Sequence, residues 1–187
     1  MKTLNLSLSI FTALLALNCS IEESTTENTV AGFQVNAGDL QGNINSGSVS
    51  LNASETYILT GALIVKEGAV LTIPAGTTIT AAAGTSTSAY IGVERGAKIY
   101  INGTAAAPVV MTSETREAGS WGGLAIAGYG ITNAGTNVTS EVGDLTYGGA
   151  DNTDNSGVVT YLRVEYTGAT FTNEKEFNGV TLFGVGS

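Results

Sequence analysis

The sequence predicts an all-β fold, a solenoid in which short parallel strands stack coil upon coil. An internal repeat is the first observation: VKEGAVLTI at 65–73 returns as VERGAKIYI at 93–101. Alternate positions stay aliphatic while Thr72 becomes Tyr100 between them, as expected for stacked strands with one buried and one solvated face. Composition is the second observation, because 25 Gly, 2 Pro and abundant Thr and Val suit short strands joined by frequent turns. The third is that no helical apolar period is sustained beyond the N-terminal segment.

The N-terminal segment has the pattern of an export signal. Lys2 is followed by the apolar stretch 4–17, which is too short to span a bilayer comfortably. Cys19 comes directly afterwards and is the only cysteine, so it cannot form a disulfide within the chain. The run Ala-Leu-Asn-Cys at 16–19 resembles the lipobox of bacterial lipoproteins. The resemblance implies that 1–18 is a lipoprotein signal peptide and that Cys19 is lipidated. The alternative is an ordinary secreted protein with an incidental cysteine.

Residues 19–36 are predicted to form a flexible tether between the lipid and the domain, since this stretch is rich in Ser, Thr, Glu and Asn. The early acidic pair Glu22 and Glu23 resembles the surface-export signal of Bacteroidetes lipoproteins. That resemblance implies a protein held in the outer membrane by its lipid and exposed at the cell surface. The β-solenoid domain is predicted over 37–187.

Short strand signals follow one another from the start of this domain. They lie at 48–51, 57–59, 62–65, 69–73, 97–101, 109–111, 123–128, 161–166 and 179–183. Segment 123–128 resembles 179–184, at twice the spacing of the first repeat. Alternation predicts inward columns made of Leu71, Ile73, Ile99, Ile101, Leu124, Ile126, Leu162, Val164, Val180 and Leu182. Burial of each such aliphatic side chain contributes about 1.5–3 kcal/mol, so these columns dominate the expected stability.

Several motifs occur in a fixed order along the domain. They are TGALIV at 60–65, GTAAAPVVMTS at 103–113, WGGL at 121–124, YGGADN at 147–152 and SGVVTYLRVEY at 156–166. Together they resemble Bacteroidetes surface lipoproteins with a pectin-lyase-like right-handed parallel β-helix, a family largely uncharacterised in function. The resemblance therefore implies a fold and no established activity. Members of that family continue with more rungs, so we expect this domain to be truncated, lacking C-terminal rungs and a cap. The alternative is a natural short form that caps itself by dimerisation.

Charge and composition exclude several function classes. The chain has 16 acidic and 7 basic residues, a net charge of −9, and Lys2 would leave with the signal peptide. This balance argues against nucleic acid and against anionic lipid headgroups as partners. No Gly-rich phosphate loop opens a helix, so nucleotide binding has no support. The chain has no His, which removes Ser/His and Cys/His triads and imidazole metal sites, and no catalytic residue is assigned.

One polar cluster is a candidate cation site. Its oxygen donors are Asp151, Asn152, Asp154 and Asn155, with Asp151 and Asp154 as the carboxylate ligands. Ca²⁺ accepts such a mixture, although the spacing is not that of an EF-hand. The alternative is a structural turn between rungs, which uses the same residue types. Calcium is the only cofactor that the sequence suggests.

Four residues are candidates for ligand contact. Tyr100 is predicted to face outward beside Lys98 on its strand. Trp121 could stack on a sugar ring, or it could pack over an edge of the solenoid. Arg163 and Glu165 share an outer face if their strand has no bulge, and they would then pair with each other or with adjacent rungs.

The sequence therefore predicts a non-enzymatic, lipid-anchored cell-surface β-helix that binds glycans or other surface polymers. A polysaccharide lyase or glycoside hydrolase is the first alternative, with its site partly in missing C-terminal rungs. Carboxylate pairs such as Glu114 with Glu117, or Asp151 or Asp154 with Glu165, would serve hydrolysis. A purely structural envelope protein is the second alternative.

Overall fold

A computed structural model describes residues 32–172 and 175–186. This part of the chain consists of strands, turns and loops and contains no helix. The predicted signal peptide, Cys19 and most of the tether lie outside the described residues. No helix within the described ranges is long and apolar enough to cross a membrane.

The strands are short and follow one another closely. They are β1 Leu40–Ile44, β2 Gly47–Ser50, β3 Thr56–Val65, β4 Ala69–Pro74, β5 Thr78–Ala81, β6 Ile91–Val93, β7 Lys98–Asn102, β8 Val109–Ser113, β9 Leu124–Ala127, β10 Val138–Thr139, β11 Thr146–Tyr147, β12 Gly157–Thr160, β13 Leu162–Val164, β14 Thr170–Thr172, β15 Lys175–Glu176 and β16 Val180–Phe183.

Three parallel stacks of strands form the walls of the solenoid. Face A contains β2, β4, β7 and β12 in that order. Face B contains the first half of β3, then β5, β8 and β13, and face C contains β1, the second half of β3, β6, β9 and β16. Because β3 runs through the corner, faces B and C form one eight-stranded sheet. The chain visits the three faces in the same order on each coil, so the fold is the right-handed parallel β-helix that the sequence predicts.

The two copies of the internal repeat stack on each other in face A. Leu71 pairs with Ile99 and Ile73 with Ile101, and all four side chains are fully buried. At the preceding corner, the backbone N–H of Gly68 donates to the carbonyl of Gly96 at 3.0 Å. The predicted stacking of 65–73 on 93–101 is therefore confirmed residue by residue.

The second pair of similar segments, 123–128 and 179–184, is also stacked, and its two members lie on adjacent coils. Val180 pairs with Leu124 and Leu182 with Ile126, so β16 lies directly on β9. The doubled spacing in sequence is therefore a single turn of the solenoid. Loops lengthen this coil: a first insertion, 128–156, lies between β9 and β12, and a second insertion, 165–179, lies between β13 and β16.

Burial follows the predicted columns except in the last coil. Leu124 and Ile126 are buried, and Leu162 and Val164 are half-buried and pack against the core. Val180 and Leu182 were predicted to be buried as well, yet they are 44% and 58% exposed. The predicted inward direction of the two side chains is correct, since they pair with Leu124 and Ile126. The predicted burial is wrong, because no further coil of the described chain covers them. A cleft of about 260 Å³ is lined by the apolar side chains of Leu182 and Ile99 and by the polar side chains of Asp154 and Asn155.

The first insertion covers the outside of face C. Its β10 and β11 form an antiparallel hairpin, and Leu145 beside β11 is buried against Ala125 and Ala127 of β9. Small residues on this face allow the close approach. A Cβ at Gly92 would lie 2.9 Å from Ile64 Cδ1 and 3.4 Å from Leu145 Cδ2.

Charged groups of the repeated corner hold the first insertion in place. The Arg95 guanidinium donates to the Gly148 carbonyl at 2.6 Å and lies 4.8 Å from the centre of the Tyr129 ring. The Tyr129 hydroxyl donates to Glu67 Oε1 at 2.8 Å, and this bond to a carboxylate raises the pKa of Tyr129. The corner thus holds the first insertion at its start, through Tyr129, and again at Gly148.

The second insertion closes the corner between faces B and C. Its β14 and β15 pair antiparallel. Phe177, just after β15, is buried with Ala169 and with Val142 of the first insertion. The two insertions therefore meet each other at this corner.

Candidate functional site

The outside of face B carries a polar groove, which we call the face B groove. The first insertion does not cover it, and strand pairing places Thr78, Val110 and Arg163 one above another along its floor. The cavity has a volume of about 370 Å³. It is lined by Thr78, Val110, Thr112, Arg116, Arg163, Glu165 and Tyr166.

An ion pair lies in the middle of this groove. The Arg163 Nε lies 3.0 Å from Glu165 Oε1, and the two side chains are 60% and 32% exposed. The Thr112 hydroxyl donates to Glu165 Oε2 at 2.8 Å, so Glu165 is held from two directions. Arg163 and Glu165 share the outer face, as alternation without a bulge requires, and the structure brings these two candidate residues together.

The groove also contains two residues in an uncommon backbone conformation. Arg116 has φ 54° and Tyr166 has φ 62°, both in the left-handed region that favours glycine. Such conformations cost on the order of 1 kcal/mol or more and cluster at functional sites. Arg116 makes no ion pair within the described residues. Its guanidinium is therefore a cation that a ligand in the groove can use.

Trp121 is buried, which contradicts its assignment as a ligand-contact residue. The side chain is 0% exposed, and its indole N–H donates to the carbonyl of Glu165 at 2.8 Å. A fully covered ring offers no face to a sugar. The alternative, packing at a corner of the solenoid, is correct. From this position Trp121 fixes the backbone of Glu165 from behind the groove.

Tyr100 faces outward as predicted but on another face. It lies on β7 of face A, where strand pairing puts it between Thr72 and Val158. Its ring is half-buried. The structure thus separates Tyr100 from Arg163 and Glu165, and Tyr100 does not line the face B groove.

The Asp/Asn cluster is occupied by turn hydrogen bonds. Asp151 Oδ1 accepts from the backbone N–H and the hydroxyl of Thr153 at 2.9 and 2.6 Å, which lowers the pKa of Asp151. Asn155 Oδ1 accepts from the N–H of Gly157 at 2.9 Å. Both are local turn contacts of the kind that Asx residues make.

The other two members of the cluster tie the first insertion to itself. Asn152 Oδ1 accepts from the N–H of Ile131 at 2.9 Å, and Asp154 Oδ2 accepts from the N–H of Tyr129 at 3.1 Å. Within the described ranges, no group of three or more acidic, His or Cys side chains converges on a point that could hold a metal ion. The turn function is visible in the structure, and the cation site stays a prediction.

The carboxylate pairs do not assemble in the groove. The Glu114 carboxylate accepts from the N–H of Ala83 at 2.9 Å, a contact between coils. Asp151 and Asp154 precede β12 on face A, whereas Glu165 follows β13 on face B. Glu165 is the one member of these pairs that lines the groove.

Sequence reasoning missed Arg116, Tyr166 and Thr112 as residues of the site. Thr112 lies on β8, and alternation already places it on the outer face. Arg116 and Tyr166 lie in turns after β8 and β13, where the direction of a side chain depends on φ rather than on alternation. The scarcity of cations in this acidic chain is the signal that could have singled out Arg116.

The stacked strands define a parallel β-helix, and comparison with protein families gives the same architecture. The family model of the pectate-lyase-like β-helix domain matches residues 42–187. The protein belongs to this family of parallel β-helices. Comparison with curated proteins and with solved structures gave no match.

Proposed function

We propose that the protein is a non-enzymatic, lipid-anchored cell-surface β-helix that binds a glycan or another surface polymer in the face B groove. The observation that carries the proposal is the groove itself. It combines the Arg163–Glu165 pair, the partly exposed ring of Tyr166 and the guanidinium of Arg116, which has no ion pair within the described residues. These groups lie together on an uncovered sheet face.

The chemistry of the groove suits a polymer rich in hydroxyl groups. Guanidinium and carboxylate groups donate and accept hydrogen bonds in fixed planes, and Thr112 adds a hydroxyl. The Tyr166 ring, 36% exposed, provides an apolar surface for a sugar ring. Because its floor is built from stacked strands, the groove runs across the coils that carry Thr78, Val110 and Arg163, as a chain-like ligand requires.

The binding claim is tested by polysaccharide pull-down and glycan array with the mature chain carrying Cys19→Ser. The double variant Arg116→Ala, Arg163→Ala is expected to lose at least about tenfold in affinity, since each charged hydrogen bond contributes roughly 1.5–3 kcal/mol. Lys98→Ala is the matched control, because Lys98 is an outward cation on face A. Failure to retain any polymer would remove the binding claim, and equal retention by the double variant would move the site elsewhere.

Anchoring rests on Cys19 and is a separate part of the proposal. Metabolic labelling with a radioactive fatty acid is expected to label the wild-type protein and to leave Cys19→Ala unlabelled. Surface exposure is checked by protease treatment of intact cells. Release of an unlipidated wild-type protein into the medium would instead favour ordinary secretion.

A polysaccharide lyase is the second candidate, favoured by the position of Arg116 in the same groove as Glu165. In an elimination, a basic side chain of the groove takes the proton next to the uronate carboxylate while the adjacent glycosidic C–O bond breaks. The departing oxygen takes a proton from water, and a double bond remains in the other product. Uronate polymers incubated with the protein would then gain ultraviolet absorbance, and Arg163→Ala would abolish the gain. Binding without that gain supports the non-enzymatic proposal.

A further inference from the structure

A second cavity lies outside the face B groove, at the corner where the two insertions meet. We call it the corner pocket. Its volume is about 190 Å³. It is lined by Thr87, Tyr90, Glu141, Val142, Gly143, Asp144, Phe171, Lys175 and Phe177, none of which lines the face B groove.

An aromatic pair forms the inner wall of the corner pocket. The Tyr90 and Phe177 rings lie 5.1 Å apart between centroids at 35°. Two glycines make room for them. A Cβ at Gly122 would lie 2.8 Å from Tyr90 Cβ and 3.0 Å from Phe177 Cδ1, and a Cβ at Gly143 would lie 3.1 Å from Tyr90 Cε2. The backbone at Gly122 and Gly143 therefore packs closely against Tyr90.

A third aromatic ring stands at the mouth. Phe171 on β14 is 56% exposed, although Phe177 from the same insertion is buried. Lys175, which pairs with Thr172 between β14 and β15, also lines the pocket. An exposed ring beside a cavity exposes apolar surface to water unless a ligand covers it.

Polar groups surround these rings on the side of the first insertion. Glu141 and Asp144 provide two carboxylates, and Thr87 provides a hydroxyl. Burial and the negative charge of Asp144 raise the pKa of Tyr90. Its phenol adds a hydroxyl that can donate a hydrogen bond. The pocket therefore offers acceptors and donors around an apolar wall.

We propose that the corner pocket binds a single pyranose ring of a neutral glycan, stacked on Phe171 with its hydroxyls donating to Glu141 and Asp144. Two carboxylates against one ammonium disfavour a phosphate or carboxylate ligand. The volume of about 190 Å³ is below the roughly 300–1,000 Å³ of pockets for drug-sized molecules, which favours one ring over an extended segment. This site is independent of the face B groove and stands or falls separately from it.

The test is a ¹H–¹⁵N NMR titration of the mature Cys19→Ser chain with the methyl glycosides of glucose, galactose, mannose and N-acetylglucosamine. At least one is expected to bind with Kd about 1–10 mM, which corresponds to weak single-ring recognition. Its saturable shifts should include the amides of Thr87 and Gly143. Phe171→Ala is expected to weaken binding about tenfold, and Tyr90→Phe to weaken it about threefold without unfolding the chain.

Tyr161→Asn is the matched control, because it removes an equally exposed aromatic ring at a left-handed position that Asn tolerates. It should leave the Kd unchanged. Absence of saturable shifts with all four glycosides overturns the proposal, and so do shifts that Phe171→Ala does not alter. The saturable shifts of Thr87 and Gly143 report the corner pocket alone, because neither residue lines the face B groove.

Discussion

Glu165 shows how one buried residue positions an exposed one. Its carboxylate is held by Arg163 and Thr112 on the outside of face B, while the Trp121 indole holds its carbonyl from within. The backbone N–H of Glu165 also donates to the carbonyl of Met111 at 2.9 Å. Strand pairing and a side-chain donor therefore fix the same residue, and the geometry of the groove depends on a ring that no ligand touches.

We predict that Trp121→Phe destabilises the fold by about 1–3 kcal/mol, because it removes the donor of a hydrogen bond from the buried indole to the carbonyl of Glu165. The free energy of unfolding from urea denaturation measures this loss. Tyr161→Phe, at an exposed position, is the control and should change stability by less than about 0.5 kcal/mol. Equal stability of the two variants would show that the indole N–H contributes nothing to the fold.

Asp151 gives a prediction about pH. Hydrogen bonds from Thr153 to the charged carboxylate lower its pKa below the ordinary value of 3.8. A lowered folded-state pKa means that the carboxylate stabilises the turn above the unfolded pKa and loses this effect as pH falls through the folded value. A carboxyl-detected NMR titration should give a midpoint below 3.8 in the wild type. Thr153→Val, which removes the hydroxyl donor, should raise that midpoint.

Alternation predicted the direction of side chains within strands because it is a local rule. It placed Ile99 inward and Arg163 outward correctly. It gave no information about Trp121, whose burial depends on the second insertion folding across it, through a bridge to Thr167. Residue spacing within a strand does not show which side chains a distant segment of the chain will bury.

At the level of elements, the two insertions differ from the coils they interrupt. The coils bury aliphatic columns, whereas the first insertion is attached through Leu145 on an outer face and through charged contacts from Arg95 and Glu67. Sequence analysis found most strands of the coils, including β4 and β7, because each of these shows apolar alternation. It gave no strand signal for β1, β5, β6 or β12 of the coils. It missed β10, β11, β14 and β15, which are too short to show a period.

We predict that Leu145→Ala detaches the first insertion without unfolding the coils. Removal of a buried Leu side chain costs about 2–5 kcal/mol, but the loss falls on contacts with Ala125 and Ala127 outside the main core. Amide hydrogen exchange should accelerate across 128–156 and remain slow in β4 and β7. Leu71→Ala is the comparison, because it removes core packing and should lower protection everywhere.

At the scale of the whole molecule, the sequence was sufficient for the architecture and insufficient for the number of coils. The repeat of 65–73 at 93–101 predicted the register of Leu71 on Ile99, and the structure has it. The later echo, 123–128 with 179–184, left open how many coils lie between its two copies, since an insertion and an added coil give the same spacing. The expectation that further C-terminal rungs follow stays a prediction.

The last described coil gives a prediction about association. Leu182, Val180 and Val159 are 58%, 44% and 44% exposed, and they lie on strands that end their stacks within the described chain. Exposed apolar edges pair with other chains. We expect the isolated chain to self-associate with rising concentration, and Leu182→Lys to reduce this in light scattering. Ile131→Lys, at an exposed position of the first insertion, should have no such effect.

The coil-by-coil register has a mechanical consequence. Leu71 pairs with Ile99 on the next coil, and Leu124 pairs with Val180 on the next coil as well. The coil between Leu124 and Val180 contains twice as many residues as the coil between Leu71 and Ile99. Stretched between its ends in an optical trap, the molecule should peel in discrete events rather than rupture at once. Release of the shorter coil would lengthen the stretched molecule by roughly 95 Å, at about 3.4 Å per residue. Release of the coil that contains the insertions would lengthen it by about twice that distance. The order of the long and short steps would report from which end the peeling begins.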